Sequence, residues 1–179
     1  MSKRAATAVA NPAIHKKFAF EDVAALVVED APHYAGLICG ILKSFGIQTI
    51  YSARCGEDAL FNLANHRVQV AIVDDLKPPL DGHAIVRTLR APDSGLPSSV
   101  PVIFVTEKPF MENIVAARDA GATEILSKPF SANQLMTRIE AVLRKPRPIV
   151  QGGNFVGPDR RRQIKDAAEK KRKGDHEGR

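Results

Sequence analysis

Val68 to Gly82 reads VQVAIVDDLKPPLDG, and the fold turns on that stretch. Val68, Val70, Ala71, Ile72 and Val73 make a short apolar run rich in β-branched residues. Such a run suits a strand buried on both faces of a parallel sheet. It stops at two carboxylates, Asp74 and Asp75, and Leu76-Lys77-Pro78-Pro79 can continue neither a central strand nor a helix. A strand that delivers an acid to its own carboxyl end puts it where open α/β sheets bind their ligands.

The same grammar repeats on both sides. Upstream, Ala24 to Val28 reads as a strand ending in Glu29-Asp30, with Asp30 as a candidate cap for a helix opened by Pro32. Tyr34, Leu37, Ile38, Ile41, Leu42 and Phe45 then follow helical spacing and read as a core stripe, closed by Gly46. Gln48 to Ser52 is a second strand, and Gly56 opens a helix carrying Ala59, Leu60 and Leu63. Downstream, Asp81-Gly82 starts a helix over about His83 to Leu89, and a Pro/Ser/Gly loop leads to a strand from Val102 to Val105 ending at Thr106. A helix from Met111 to Ala120 closes at Gly121, and Ile125-Leu126 is a short strand ending at Ser127-Lys128-Pro129. Ser131 with Gln134 predicts a capping box for a last helix bearing Leu135, Ile139, Val142 and Leu143. Five strand–helix alternations in about 120 residues predict an α/β, doubly wound parallel sheet.

Charge divides the chain differently. The net +6 combines +4 in residues 1–20, −3 in 21–145 and +5 in 146–179. The reading is a basic N-terminal arm (1–20), a globular domain (21–145) and a basic, largely disordered tail (146–179), because KPRPIVQGGNFVGPDRRR carries prolines and glycines that oppose packed secondary structure. The longest unbroken apolar run, Val23 to Val28, is far short of a bilayer span. With no apolar leader and two separated cysteines, Cys39 and Cys55, the expected setting is cytoplasmic with reduced thiols.

In a parallel sheet Glu29-Asp30, Asp74, Thr106 and Lys128 converge on one edge. Three carboxylates in a small space raise one another's pKa unless a counter-ion is present. Hard oxygen donors without His or Cys point to Mg²⁺ rather than Zn²⁺. A hydroxyl and an ammonium at the rim then suit a group with several anionic oxygens, and a phosphoryl group is the natural candidate.

Residues 22–145 resemble a bacterial two-component response-regulator receiver domain of the CheY-like type. The family places a Pro four residues after its phospho-accepting Asp and an Asp-Gly pair seven residues after; Asp74, Pro78 and Asp81-Gly82 fit that spacing. The resemblance implies a flavodoxin-like (βα)5 fold with a five-stranded sheet in the order 2-1-3-4-5. It implies that Asp74 accepts a phosphoryl group. Glu29, Asp30, Asp74 and the backbone carbonyl of Leu76 would hold Mg²⁺. Thr106 and Lys128 would contact the phosphoryl oxygens, and the Lys128–Pro129 peptide would be cis. Ile125 stands where the family usually has a switch aromatic, and Lys77 adds a charge near the site entrance. Asp75 reads as a solvated neighbour.

The expected function is that of a stand-alone receiver in a phosphorelay, catalysing only its own phosphorylation and dephosphorylation. The expected partners are a histidine kinase or histidine phosphotransfer protein, a downstream protein target and, as a further option, a second copy of the chain. The competing readings are a DNA-associated regulator using Arg160-Arg161-Arg162 and Lys170 to Lys173, a phosphorylation-independent interaction module, and an aspartate-nucleophile phosphatase. Against nucleic acid stands the absence of a helix-turn-helix or zinc pattern. Against the phosphatase stands Asp74-Asp75-Leu76, which lacks a second acid two residues on. FVGPDRRR reads as a candidate docking motif for a protein partner.

Overall fold

The computed structural model describes residues 19–152 and 155–161. Five strands, β1 (Ala24–Val28), β2 (Thr49–Ala53), β3 (Val70–Asp74), β4 (Val102–Thr106) and β5 (Glu124–Ser127), alternate with five helices. These are α1 (Pro32–Ser44), α2 (Gly56–Asn65), α3 (Gly82–Arg90), α4 (Met111–Ala120) and α5 (Ala132–Arg144). The sheet is parallel in the order β2-β1-β3-β4-β5. The doubly wound expectation and its strand order hold.

Strand periodicity explains why both faces are covered. In β1, Leu26 and Val28 pack with Ala59, Leu63, Ile85 and Leu89, whereas Ala25 and Val27 pack with Ile38, Leu42, Leu135 and Ile139. Successive side chains point to opposite faces, so each central strand needs apolar residues at every position and a helical layer on each side. That is why β3 reads as a continuous apolar run.

The local signals mostly act as expected. Gly46 and Gly121 adopt positive φ and end α1 and α4. Asp81 caps α3 by accepting the Ala84 N–H at 2.7 Å, and Ser131 and Gln134 form the reciprocal capping box of α5. Two readings of the α1 region need correction. Ala31, not Asp30, is its N-cap residue, and the Ala31 N–H donates to the Glu29 carboxylate at 3.1 Å. The apolar stripe is also narrower than its spacing suggests: Ile38 and Leu42 are buried, but Leu37 and Phe45 are exposed.

The larger correction concerns residues after Arg144. Ile149–Gly152 and Phe155–Pro158 pair as an antiparallel hairpin, β6–β7, where no packed structure was expected. The hairpin rests on the carboxyl end of α4. A Cβ on Gly157 would come within 3.0 Å of Gly121 Cα and 2.6 Å of the Phe155 ring, so this close approach requires glycine. Arg160 fastens the contact: it donates to the Arg118 carbonyl at 3.0 Å, pairs with Asp119 at 3.0 Å and stacks 3.6 Å from the Phe155 ring centroid. Phe155 to Arg160 of the candidate docking motif are thus engaged within the chain. The basic run Lys170 to Lys173 and the arm 1–18 lie outside the described residues.

Arg90 ties the same corner from beneath. Its buried guanidinium donates to the carbonyls of Gly121 (3.0 Å), Val100 (2.9 Å) and Ser98. Desolvation lowers its pKa to about 10. At that value the guanidinium stays charged at neutral pH, and its N–H groups satisfy three carbonyls.

If the hairpin contributes to stability, Arg160→Ala should cost about 1 kcal/mol through the lost stacking and hydrogen bond. The measurements are thermal unfolding and amide exchange. The melting temperature should fall, with faster exchange across β6–β7; unchanged melting and exchange would show that the hairpin packs without stabilising.

Candidate functional site

The carboxyl ends of β1, β3, β4 and β5 bring the sequence-selected residues together. Glu29 follows β1, Asp74 ends β3, Thr106 ends β4, and Lys128 follows β5. Parallel register places Asp74 beside Val105, one residue before Thr106, and Thr106 beside Ser127, one residue before Lys128. The Lys128 N–H closes this edge by donating to the Thr106 carbonyl at 2.8 Å.

The centre is a buried ammonium shared by two acids. Lys128 Nζ lies 2.7 Å from Glu29 Oε2 and 2.9 Å from Asp74 Oδ1. Glu29 and the Lys128 side chain are almost wholly enclosed, and Asp74 is half-buried. Burial pushes the Glu29 carboxyl pKa up and Asp74 adds to the rise, against the lowering influence of Lys128 and the Ala31 N–H. Burial acts to lower the Lys128 pKa, but its bonds to Glu29 and Asp74 outweigh that and hold it above the ordinary value. The ammonium therefore stays charged at neutral pH.

One oxygen each from Glu29, Asp30 and Asp74 lies within 4.8 Å of the others. An all-carboxylate set is hard-donor chemistry that fits Mg²⁺. The structure places Leu76 in the turn after β3, its N–H donating to the Asp74 carbonyl at 2.9 Å.

The remaining expectations vary in outcome. Thr106 is buried, and its hydroxyl oxygen accepts the Lys108 N–H at 3.0 Å, which leaves the hydroxyl hydrogen to donate. The Lys128–Pro129 peptide is cis, as is Pro78–Pro79. Ile125 is half-buried against the core, and Lys77 is exposed. Asp75 is not a merely solvated neighbour: it is half-buried, with His83 Nδ1 at 3.5 Å from its carboxylate. That histidine packs on Phe104, with ring centroids 4.6 Å apart.

The sequence reading named Gly82 and Tyr34 but missed what they touch. Gly82 allows α3 to begin directly behind Asp74: a Cβ there would overlap the Asp74 carbonyl oxygen and approach the Phe104 ring to 2.9 Å. Tyr34 of α1 places its ring centroid 4.3 Å from Lys128 Nζ. Helical spacing could only assign Tyr34 to a core stripe, and only the Asp-Gly pair drew attention to Gly82.

Residues 25–140 match the family model described as response regulator receiver domain. Among curated relatives, the response regulator MprA of Mycobacterium sp. (strain KMS) is 34% identical over 105 residues, covering 59% of this chain and 44% of MprA. The chain thus spans less than half the length of the curated relatives it matches. Among solved structures, the receiver domain of Francisella response regulator 1452 superposes with a TM-score of 0.62 at 27% identity, covering 69% of this chain and 98% of that one. The receiver domain of sensor histidine kinase PA1611 from Pseudomonas aeruginosa, solved with a magnesium ion in its active-site cleft, gives a TM-score of 0.62 at 26% identity, with 69% and 98% coverage. Among the described residues, no helix is long and apolar enough to cross a membrane.

Proposed function

Because this chain belongs to the response regulator receiver domain family, we propose that it accepts a phosphoryl group on Asp74 from a phosphohistidine and signals through the resulting change in protein contacts. The observation that carries the reading is the Lys128 ammonium held between Glu29 and Asp74, at 2.7 and 2.9 Å. A buried cation at the end of the acceptor strand stands ready to neutralise charge that arrives with a phosphoryl group.

In this reading an Asp74 carboxylate oxygen attacks phosphorus. The O–P bond forms as the P–N bond to the donor imidazole breaks, and the imidazole leaves with that electron pair. Lys128 shifts from the Asp74 oxygen to a phosphoryl oxygen, and Thr106 donates its free hydroxyl hydrogen to another. Glu29, Asp30, Asp74 and the Leu76 carbonyl would hold Mg²⁺, which supplies positive charge that the three carboxylates and the phosphoryl oxygens otherwise lack. Attack of water on the acyl phosphate later returns Asp74 to its free form. The reaction is confined to the protein's own aspartate, so no separate substrate is turned over.

Partners in this scheme are a histidine kinase or phosphotransfer protein as donor and a protein target as reader, with the receiver acting in the cytoplasm. The test is intact-mass analysis after incubation with Mg²⁺ and acetyl phosphate, beside Asp74→Asn and a chelator control. One phosphoryl gain is expected, abolished by either change. Uptake that survives Asp74→Asn would overturn the assignment; no uptake from acetyl phosphate or from a phosphorylated kinase would leave a receiver fold that works without phosphorylation.

A further inference from the structure

The Lys128 ammonium has a third neighbour. Glu29 and Asp74 take it at 2.7 and 2.9 Å, and the Tyr34 ring centroid lies 4.3 Å away. That distance is well inside the range at which an aromatic face attracts a cation, and the attraction grows when water is excluded. Here water is largely excluded, because the Lys128 side chain is only 3% exposed. Tyr34 is half-buried in the first turn of α1, at the end of the helix nearest the carboxylates, and its ring meets the His33 ring edge-on at 6.2 Å.

We infer that Tyr34 is a positioning residue for phosphoryl acceptance, acting through Lys128. The inference rests on the phosphoacceptor reading of Asp74. Lys128 must leave one anionic oxygen and meet another while its side chain stays buried. The carboxylates alone do not fix its course, because they attract it along their own directions. The ring adds a wall that keeps the ammonium charged and close without donating or accepting a proton. The role belongs to the aromatic face and not to the hydroxyl, so phenylalanine should serve as well as tyrosine.

The experiment compares wild type, Tyr34→Phe and Tyr34→Leu in three measurements: thermal unfolding, the rate of phosphoryl uptake from acetyl phosphate with Mg²⁺, and the proton chemical shifts of the Lys128 ε-methylene. Wild type and Tyr34→Phe should take up phosphoryl at similar rates and share upfield ε-methylene shifts caused by the ring. Tyr34→Leu should lose those shifts and react about tenfold more slowly, the rate equivalent of one cation–π contact in a desolvated site. Its melting temperature should fall by only a few degrees, leaving the protein folded at the assay temperature, which separates positioning from unfolding. Wild-type uptake by Tyr34→Leu would overturn the inference, as would equal slowing in both variants or ε-methylene shifts indifferent to the ring. Failure of wild type itself to gain a phosphoryl group would instead sink the reading of Asp74, and the role of Tyr34 with it. The methylene shifts would still report whether the ring and ammonium touch.

Discussion

Lys128→Met, studied without divalent cations at neutral pH, is expected to lose about 3 kcal/mol of stability, the scale for breaking a buried ion pair from one side. The cause is geometric. Lys128 Nζ is the cation within 3 Å of both Glu29 and Asp74, and Glu29 is almost fully buried. Methionine fills similar space but leaves two carboxylates facing each other. The loss should depend on pH in a definite direction. Burial and Asp74 already raise the Glu29 pKa in wild type, and Lys128 is the side chain that opposes the rise. Without it the folded-state value climbs further above the unfolded one. A carboxyl with a raised folded pKa favours folding when protonated, so that contribution is present at low pH and lost as pH rises through the folded value. The variant should therefore approach wild-type stability in mild acid and fall away toward neutral pH. Urea unfolding across that range is the measurement; a pH-independent loss would mean that packing, not charge, was removed. Added Mg²⁺ should recover part of the loss if the three carboxylates bind it.

Gly82→Ala is expected to be as damaging for an unrelated reason. A Cβ at this position would overlap the Asp74 carbonyl oxygen and come to 2.9 Å from the ring of Phe104, which is completely buried. Backbone and core ring cannot yield as a flexible side-chain tip can, so α3 or the end of β3 must move. Overpacking of this kind costs about 3 kcal/mol, and displacement of Asp74 should lower phosphoryl uptake in whatever remains folded. Gly36→Ala is the control. Apart from its chain neighbours and the backbone of its own helix, no atom lies within 4 Å of a Cβ there, and removing a glycine from a helix interior should stabilise by about 0.5–1 kcal/mol. Equal effects at the two glycines would show that helix propensity, not the close approach to β3, governs Gly82.

Much of the frame was legible because periodicity and strand-end chemistry agree. The apolar runs at Ala24 to Val28, Val70 to Val73 and Val102 to Val105 can be satisfied only by helices on both faces, and Gly46, Gly121 and Ser131 punctuate them at the right places. Once the strands are parallel, Glu29, Asp74, Thr106 and Lys128 fall on one edge without further assumption. What escaped depends on contacts distant in sequence. The β6–β7 hairpin has four-residue strands containing Gly and Pro, too short for alternation to show. It is held by Gly157 against Gly121 and by Arg160 against α4. In the sequence, Ile149-Val150 and Phe155-Val156 on either side of Gly152-Gly153-Asn154 were the available signal, outweighed by the surrounding prolines and charge. Tyr34 escaped because a core tyrosine and one facing an ammonium have the same helical spacing. Asp75 escaped because His83 joins it only after the turn at Asp81 folds α3 back.

Asp74, and not the adjacent Asp75, is expected to carry the phosphoryl group. Both are half-buried acids at the end of β3, but the Lys128 ammonium is bound to Asp74 while Asp75 faces His83. An aspartyl phosphate is reduced by borohydride to homoserine, whereas a free carboxylate is not, so reduction after phosphorylation followed by peptide mass spectrometry reads the site directly. Homoserine is expected at residue 74 with residue 75 still aspartate, dependent on Mg²⁺ during phosphorylation. Homoserine at residue 75, or none in a protein that has gained phosphoryl mass, would contradict it.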